Sequence, residues 1–206
     1  EGHDVAIASN GGVYVPEIKA AGIRHYSVPM HRRNIGYMRR SRKLLKEIIQ
    51  KEKPDVVHAH ARIPAFLCGT LHATMHFPFV TTAHWVFETR GMLRYLTNWG
   101  QRTVAVSEDI KAYLMREYGV PEEHITVTVN GIDTNKFSPE VSRDRVMAEL
   151  GLDPQKPVIS YVSRMDEDRA LVARQLVQVA RDLDREVPGI QLIITGGGNV
   201  FDEIKA

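Results

Sequence analysis

Pro54-Asp55-Val56-Val57-His58-Ala59-His60 is the stretch on which the fold turns. Pro54 ends whatever helix precedes it, because the residue before a proline is steered out of helical geometry. Val56–His58 is then a short apolar run, and it stops in small and polar residues. The same pattern recurs on both sides. Val5–Ala8 and His25–Val28 lie upstream; Phe79–Thr82, Thr103–Val106, Ile125–Val129, Val158–Val162 and Gln191–Ile194 lie downstream. Most of these runs are followed by a helix-like stretch. Apolar strands alternating with amphipathic helices predict an α/β protein built on parallel sheet, covered on both faces. Ligands bind such sheets outside the carboxyl ends of the strands. The candidate site is therefore the set of residues that follow the runs: Asn10-Gly11-Gly12, His58-Ala59-His60, His84-Trp85, Ser107, Asn130-Gly131, Ser163-Arg164 and Gly196-Gly197-Gly198.

The helices can be placed from their punctuation. Val15–Ala21 is a short helix closed by Gly22, and a basic helix runs to about Lys53. Pro64 suits the first turn of a helix reaching Met75. Trp85–Trp99 reads as loop plus helix. Ser107 is a good N-cap, with Glu108 and Asp109 where the helix dipole favours carboxylates. That helix ends at Gly119. A short helix over Pro139–Leu150 and a proline-flanked turn mark a connection between two domains, expected at 1–153 and 154–206. A long helix covers Leu171–Glu186.

Composition bounds the answer. A chain of 206 residues with 43% hydrophobic and 25% charged residues suits one large domain, or one domain and part of another. No apolar stretch approaches the ~20 residues of a membrane span. The opening Glu1-Gly2-His3-Asp4 is polar, unlike a signal peptide. The lone Cys68 sits in an apolar helical run, fits a reducing compartment and reads as core packing. Together these point to a cytoplasmic protein. Charge is uneven: His31–Lys53 carries nine Lys or Arg against two Glu, while the whole chain is only +2. Met38, Leu44, Leu45, Ile48 and Ile49 recur there at helical spacing. This is a basic amphipathic helix. It reads as a core-facing helix with a solvated back, or as a face for an anionic membrane surface or phosphorylated acceptor. No motif supports nucleic-acid binding.

Several of the terminal residues can do chemistry. His84 ends a strand, where an imidazole can donate to a hydroxyl or accept a proton near neutral pH. His58 and His60 share a strand face; with no third ligand of suitable spacing, they do not make a zinc motif. Asn130-Gly131 is a turn at a strand exit. Arg164 and Arg169 precede a helix and can close on a diphosphate through bidentate guanidinium forks, or pair with Asp166, Glu167 and Asp168. Gly196-Gly197-Gly198 is a turn of the phosphate-cradling type.

The serial order of these segments resembles the retaining glycosyltransferases of family 4, over nearly the whole length. The resemblance is carried by Gly2-His3-Asp4-Val5, Asp55–His60, Val80–His84, Val104–Ser107, Asn130–Asp133 with Phe137, Tyr161–Met165 and Ile194–Gly198. It implies the GT-B architecture, two Rossmann-like domains facing across a cleft, with the acceptor on the first and the activated sugar on the second. It implies that His84 is the catalytic His of the cleft floor, and that Arg164, Arg169, Asn130, Gly131, Gly196 and Gly198 bind the donor. Gly11, Gly12, His60 and Arg62 fall on the acceptor side. Arg169 stands where the family usually has Lys, Ala170 where it has Gly, and Ser163 where it has Gly.

The partners implied are a nucleotide-diphosphate sugar as substrate and a glycan or lipid-linked acceptor of cell-envelope glycan synthesis. No cofactor or metal is implied. The family's first strand would precede Glu1 and its donor-orienting Glu pair would follow Ala206. The isolated chain is accordingly expected to turn over little, and an open sheet edge to favour dimers. A non-catalytic nucleotide- or phosphoglycan-binding module and a nucleotide-sugar epimerase of the same architecture are the alternatives.

Overall fold

A computed structural model describes residues 2–31, 34–86, 94, 97–167 and 169–205. The chain divides into two compact units, Glu1–Gly131 and Ile132–Ala206.

In the first unit every strand pairing is parallel, as the alternation predicts. Strand β1 (Ala6–Ser9) pairs with β2 (Arg24–Ser27). Strands β3 (Val57–Ala59), β4 (Phe79–Ala83), β5 (Arg102–Ala105) and β6 (Ile125–Val127) form a second sheet in that order. Among the described residues, β1 and β3 each keep one edge without a strand partner. The loop after β1 leads into α1 (Val15–Ala20), and Gly22 turns the chain toward β2 with φ +77°.

Helices α2 (Ile35–Glu52) and α3 (Arg62–Met75) supply the main core. Leu45, Ile49, Leu67, Cys68, Leu71, Phe77 and Phe79 pack with Val28 and Ala59 in one buried cluster. Withdrawing an aliphatic or aromatic side chain of this kind from water contributes roughly 1.5–3 kcal/mol. Burial pushes the Cys68 thiol up to about 12, so its packing role leaves it unreactive at neutral pH.

Helix α2 has the amphipathic form its sequence predicts. Asn34 caps it by accepting from the Gly36 N–H at 2.8 Å, and Lys53 leaves it in the left-handed region just before Pro54. Ser41, Leu45 and Ile49 face inward, while Arg39, Arg40, Lys43 and Lys46 are exposed. Arg32 and Arg33, counted in the same basic run, lie outside the described residues. The helix is also tied to β2. The Tyr26 hydroxyl donates to Glu52, and Arg24 reaches the same carboxylate at 2.8 Å. Those partners hold the Glu52 carboxyl below the ordinary range, the tyrosine contributing most.

Gly69 on α3 fixes the approach to the site. A Cβ there would fall 2.3 Å from the Asn98 side-chain nitrogen. Its absence lets the Thr97–Gly100 strap lie against the helix, with Asn98 accepting from the Gly100 N–H at 2.8 Å. Most of the expected loop and helix between Trp85 and Trp99 lies outside the described residues. Helix α4 (Glu108–Tyr113) starts at Ser107, whose hydroxyl accepts from the Ile110 N–H at 3.3 Å. It widens into a π turn over Leu114–Tyr118 and ends at Gly119 with φ +63°.

The second unit begins earlier in the sequence than the 153/154 boundary expected. The Gln191 side chain accepts from the Asp153 N–H at 2.8 Å and donates to the Asp153 carbonyl at 2.9 Å. These contacts tie the connecting segment to the second sheet. The helix expected over Pro139–Leu150 is only α5, Asp144–Glu149. Strands β7 (Val158–Val162) and β8 (Gln191–Thr195) pair in parallel, beside α6 (Leu171–Glu186) and α7 (Phe201–Lys205). Met165, Ala170, Ala173 and Val200 form their small core.

Candidate functional site

In the first unit, three imidazoles gather where β3 and β4 end. The parallel register sets Ala59 opposite Thr81, so the residues that follow each strand emerge side by side. His60 Nδ1 lies 3.1 Å from His84 Nε2, and the two rings stack with centroids 5.4 Å apart. The His58 ring centroid lies 4.1 Å from that of His60, and His58 bonds the Thr82 hydroxyl at 2.7 Å. Partial burial, followed by the nearness of the other imidazoles, lowers the pKa of His58 and of His60. Both shifts favour the neutral imidazole of His58 and His60, which can donate from one nitrogen and accept at the other. The ring nitrogens address one another and Thr82. Among the described residues no group of three or more His, Cys, Asp or Glu is placed to hold a metal ion.

The other candidates of this unit occupy the same end of its sheets. Gly11 and Gly12 follow β1 with φ of +99° and +134°, and no atom lies within 4 Å of where either Cβ would be. Only glycine takes such φ values cheaply, so the turn stays open to an incoming ligand. Ser9 organises it: its hydroxyl accepts from the Gly11 N–H at 3.1 Å and bonds His25 at 2.8 Å. Arg62 opens α3 and donates to the Thr97 hydroxyl at 3.0 Å, with Ala59, His60, Thr81, Thr82 and Trp99 lining a small recess around it. Asn130 and Gly131 follow β6 and are exposed. The next turn is held by Asp133, whose carboxylate accepts from the Asn135 and Lys136 N–H groups.

In the second unit, two loops that leave β7 and β8 are stitched together. The Ser163 N–H donates to the Thr195 carbonyl at 3.0 Å, Met165 N–H to Gly197 at 3.1 Å, and Val200 N–H to Met165 at 3.0 Å. Met165 between them is fully buried. A Cβ on Gly196 would sit 1.7 Å from the Ser163 carbonyl oxygen, and one on Gly198 2.3 Å from that of Met165. These two glycines therefore exist to let the backbones meet. Gly197 has open space around its missing Cβ.

The stitched loop carries Arg164 and Arg169. Their side chains are 71% and 49% exposed, and both lean on one Asp166 oxygen, at 3.2 and 3.9 Å. Of the three carboxylates that could pair with them, Asp166 does so; Asp168 lies outside the described residues. Exposed pairs of this kind are worth little, so an anion can take the carboxylate's place without much cost. Reading the sequence did not single out Ser9, Thr82 or Thr97 as organisers, and gave Asp166 only as one of three carboxylates that could pair with the arginines. Each acts across strand register or a loop closure, and only Asp166, two residues from Arg164, carried a local signal.

Comparison with known proteins fits this geometry. The Glycosyltransferase Family 4 profile matches residues 1–136. An alpha-maltose-1-phosphate synthase of Mycolicibacterium smegmatis is 30% identical over 172 residues, covering 74% of this chain and 43% of that protein. An Escherichia coli UDP-Gal:alpha-D-GlcNAc-diphosphoundecaprenol alpha-1,3-galactosyltransferase is 24% identical, over 89% of this chain and 51% of its own length. The chain thus spans about half the length of these curated relatives. The crystal structure of Anabaena HepE with UDP and glucose superposes with a TM-score of 0.72 at 14% identity, over 97% of this chain and 55% of that one. That likeness shows the GT-B fold, with its Rossmann-like parallel sheets. Profile, relatives and fold agree: the chain belongs to Glycosyltransferase Family 4.

Proposed function

We propose that the intact protein transfers a sugar from a nucleotide-diphosphate sugar to an acceptor hydroxyl, with retention at the anomeric carbon. The observation that carries this reading is the exposed Arg164 and Arg169 pair on a loop locked by Gly196 and Gly198. As the glycosidic bond breaks, the sugar gains oxocarbenium character and the leaving diphosphate gains charge. Two guanidiniums fixed at that point stabilise the charge through bidentate hydrogen bonds. His84 and the open Gly11-Gly12 turn, at the strand exits of the first unit, serve the acceptor side. The UDP and glucose bound in the HepE crystal structure support a nucleotide-sugar donor. Family membership favours transfer over epimerisation and over binding alone.

The test is release of nucleoside diphosphate by the intact protein from a panel of nucleotide sugars, with and without acceptor. Acceptor-dependent release is expected. Binding with no release from any donor would move the reading to a non-catalytic module.

The acceptor reading extends to α2. The galactosyltransferase relative is named for a lipid diphosphate acceptor, and Arg39, Arg40, Lys43 and Lys46 form an exposed basic face. Each such charge near an anionic bilayer is worth about 1 kcal/mol. The protein is expected to sediment with phosphatidylglycerol vesicles at low salt and not with phosphatidylcholine ones. Reversal of Arg39, Arg40 and Lys43 to Glu removes that binding; unchanged sedimentation refutes the contact. Among the described residues no helix is long and apolar enough to cross a membrane.

A further inference from the structure

We propose that His60 is the positioning residue of His84: their hydrogen bond fixes His84 in the tautomer that carries its proton on Nε2 and leaves Nδ1 bare. The contact joins His60 Nδ1 to His84 Nε2 at 3.1 Å, and a hydrogen bond has room for one proton between two nitrogens. In the neutral pair this couples the two tautomers. If His84 Nε2 holds the shared proton, His60 Nδ1 is bare and His60 must carry its own proton on Nε2. If His60 Nδ1 holds it, both rings are forced into the Nδ1–H form. Neutral histidine intrinsically favours Nε2–H, so the first arrangement satisfies both rings and the second satisfies neither.

The neighbours do not oppose this choice. His58 contacts the face of His60, and its own Nε2 is engaged with Thr82 Oγ1 at 2.7 Å. Arg62 follows on α3 and is directed to Thr97 at 3.0 Å. The tautomer of an imidazole is set by the bond its other nitrogen makes. His84 therefore presents the Nδ1 lone pair, an acceptor for a hydroxyl proton, to whatever lies beyond the end of β4. The role of that lone pair in catalysis rests on the transfer reading given above. The tautomer itself does not.

The experiment is a long-range ¹H–¹⁵N correlation of the histidine side chains of this chain at pH 8, above the ordinary imidazole range. The expected wild-type spectrum has His84 Nε2 at a protonated shift and Nδ1 at a bare one. His60→Ala moves both His84 nitrogens toward the averaged values of a free imidazole, still weighted to Nε2–H. His60→Asn restores the wild-type pattern, because the Asn Oδ1 can accept where Nδ1 did. His60 is exposed, so both variants keep the fold, checked by an unchanged far-ultraviolet spectrum. A bare His84 Nε2 in the wild type, or wild-type shifts in His60→Ala, overturns the proposal. In the intact protein His60→Ala frees the His84 ring to turn as well as to change tautomer, and lowers kcat roughly 100-fold with little change in the donor KM, the scale of a misplaced acid–base group; His60→Asn recovers most of it. If no donor is ever turned over, the transfer reading fails while the spectra still decide the tautomer.

Discussion

Arg164→Ala in the intact protein is expected to slow nucleoside diphosphate release by about 10²–10³-fold, the usual cost of removing one preorganised donor from a developing anion. The loop that holds Arg164 leaves little freedom to compensate. Met165 is fully buried, and the backbone on either side of it is bonded to the loop after β8. The backbone that carries Arg164 is thus fixed by the chain itself. Arg164→Lys is expected to recover only part of the loss, since an ammonium lacks the planar fork that matches phosphate oxygens. Arg169→Ala should cost less. Arg169 stands at 3.9 Å from the shared Asp166 oxygen against 3.2 Å for Arg164, so it is less firmly drawn to the point where an anion would sit. Full turnover by Arg164→Ala would remove the loop from the mechanism.

The second large effect is on structure. Gly198→Ala is expected to destabilise the second unit by at least the 1–3 kcal/mol typical of overpacking. The new methyl would meet the Met165 carbonyl at 2.3 Å and the Asp166 nitrogen at 2.8 Å. Both obstacles are backbone, which cannot swing away as a side-chain tip can. The unit has only a small core, of Met165, Ala170, Ala173 and Val200, so such a loss is a large share of its stability. Amide exchange of the paired β7 and β8 residues is the measurement; each 1.4 kcal/mol appears as a tenfold faster rate. Gly197→Ala is the control, since its Cβ would enter open space. Equal exchange in the two variants would show that close approach is not what Gly198 provides.

Much of this was legible in the sequence, and the parts that were not share a cause. Strand positions, the Ser107 cap and the end of α2 before Pro54 depend on local sterics and hydrogen bonding, which a few adjacent residues determine. The strand ends also pointed correctly to His84, His60 and Arg164 as exposed residues at carboxyl termini. The tie between the connecting segment and the second sheet was not legible, because Gln191 reaches back 38 residues to Asp153. The role of Gly196 and Gly198 was not legible either. A glycine run does not say which backbone will pass it; the close approach follows from the path of the Ser163–Asp166 loop. The His60–His84 bond follows from register: two strands that each end in His must be neighbours before their rings can meet, and sequence order does not say which strands are neighbours.

The most direct measurement is a map of amide shifts in the intact protein on titration with a series of nucleoside diphosphates. The account predicts that one of them perturbs residues 163–169 and 196–198 most strongly, with the effect lost in Arg164→Ala. Shifts concentrated instead at the amino ends of β7 and β8, around Pro157 and Ile190, or no shift with any diphosphate at millimolar concentration, would contradict it.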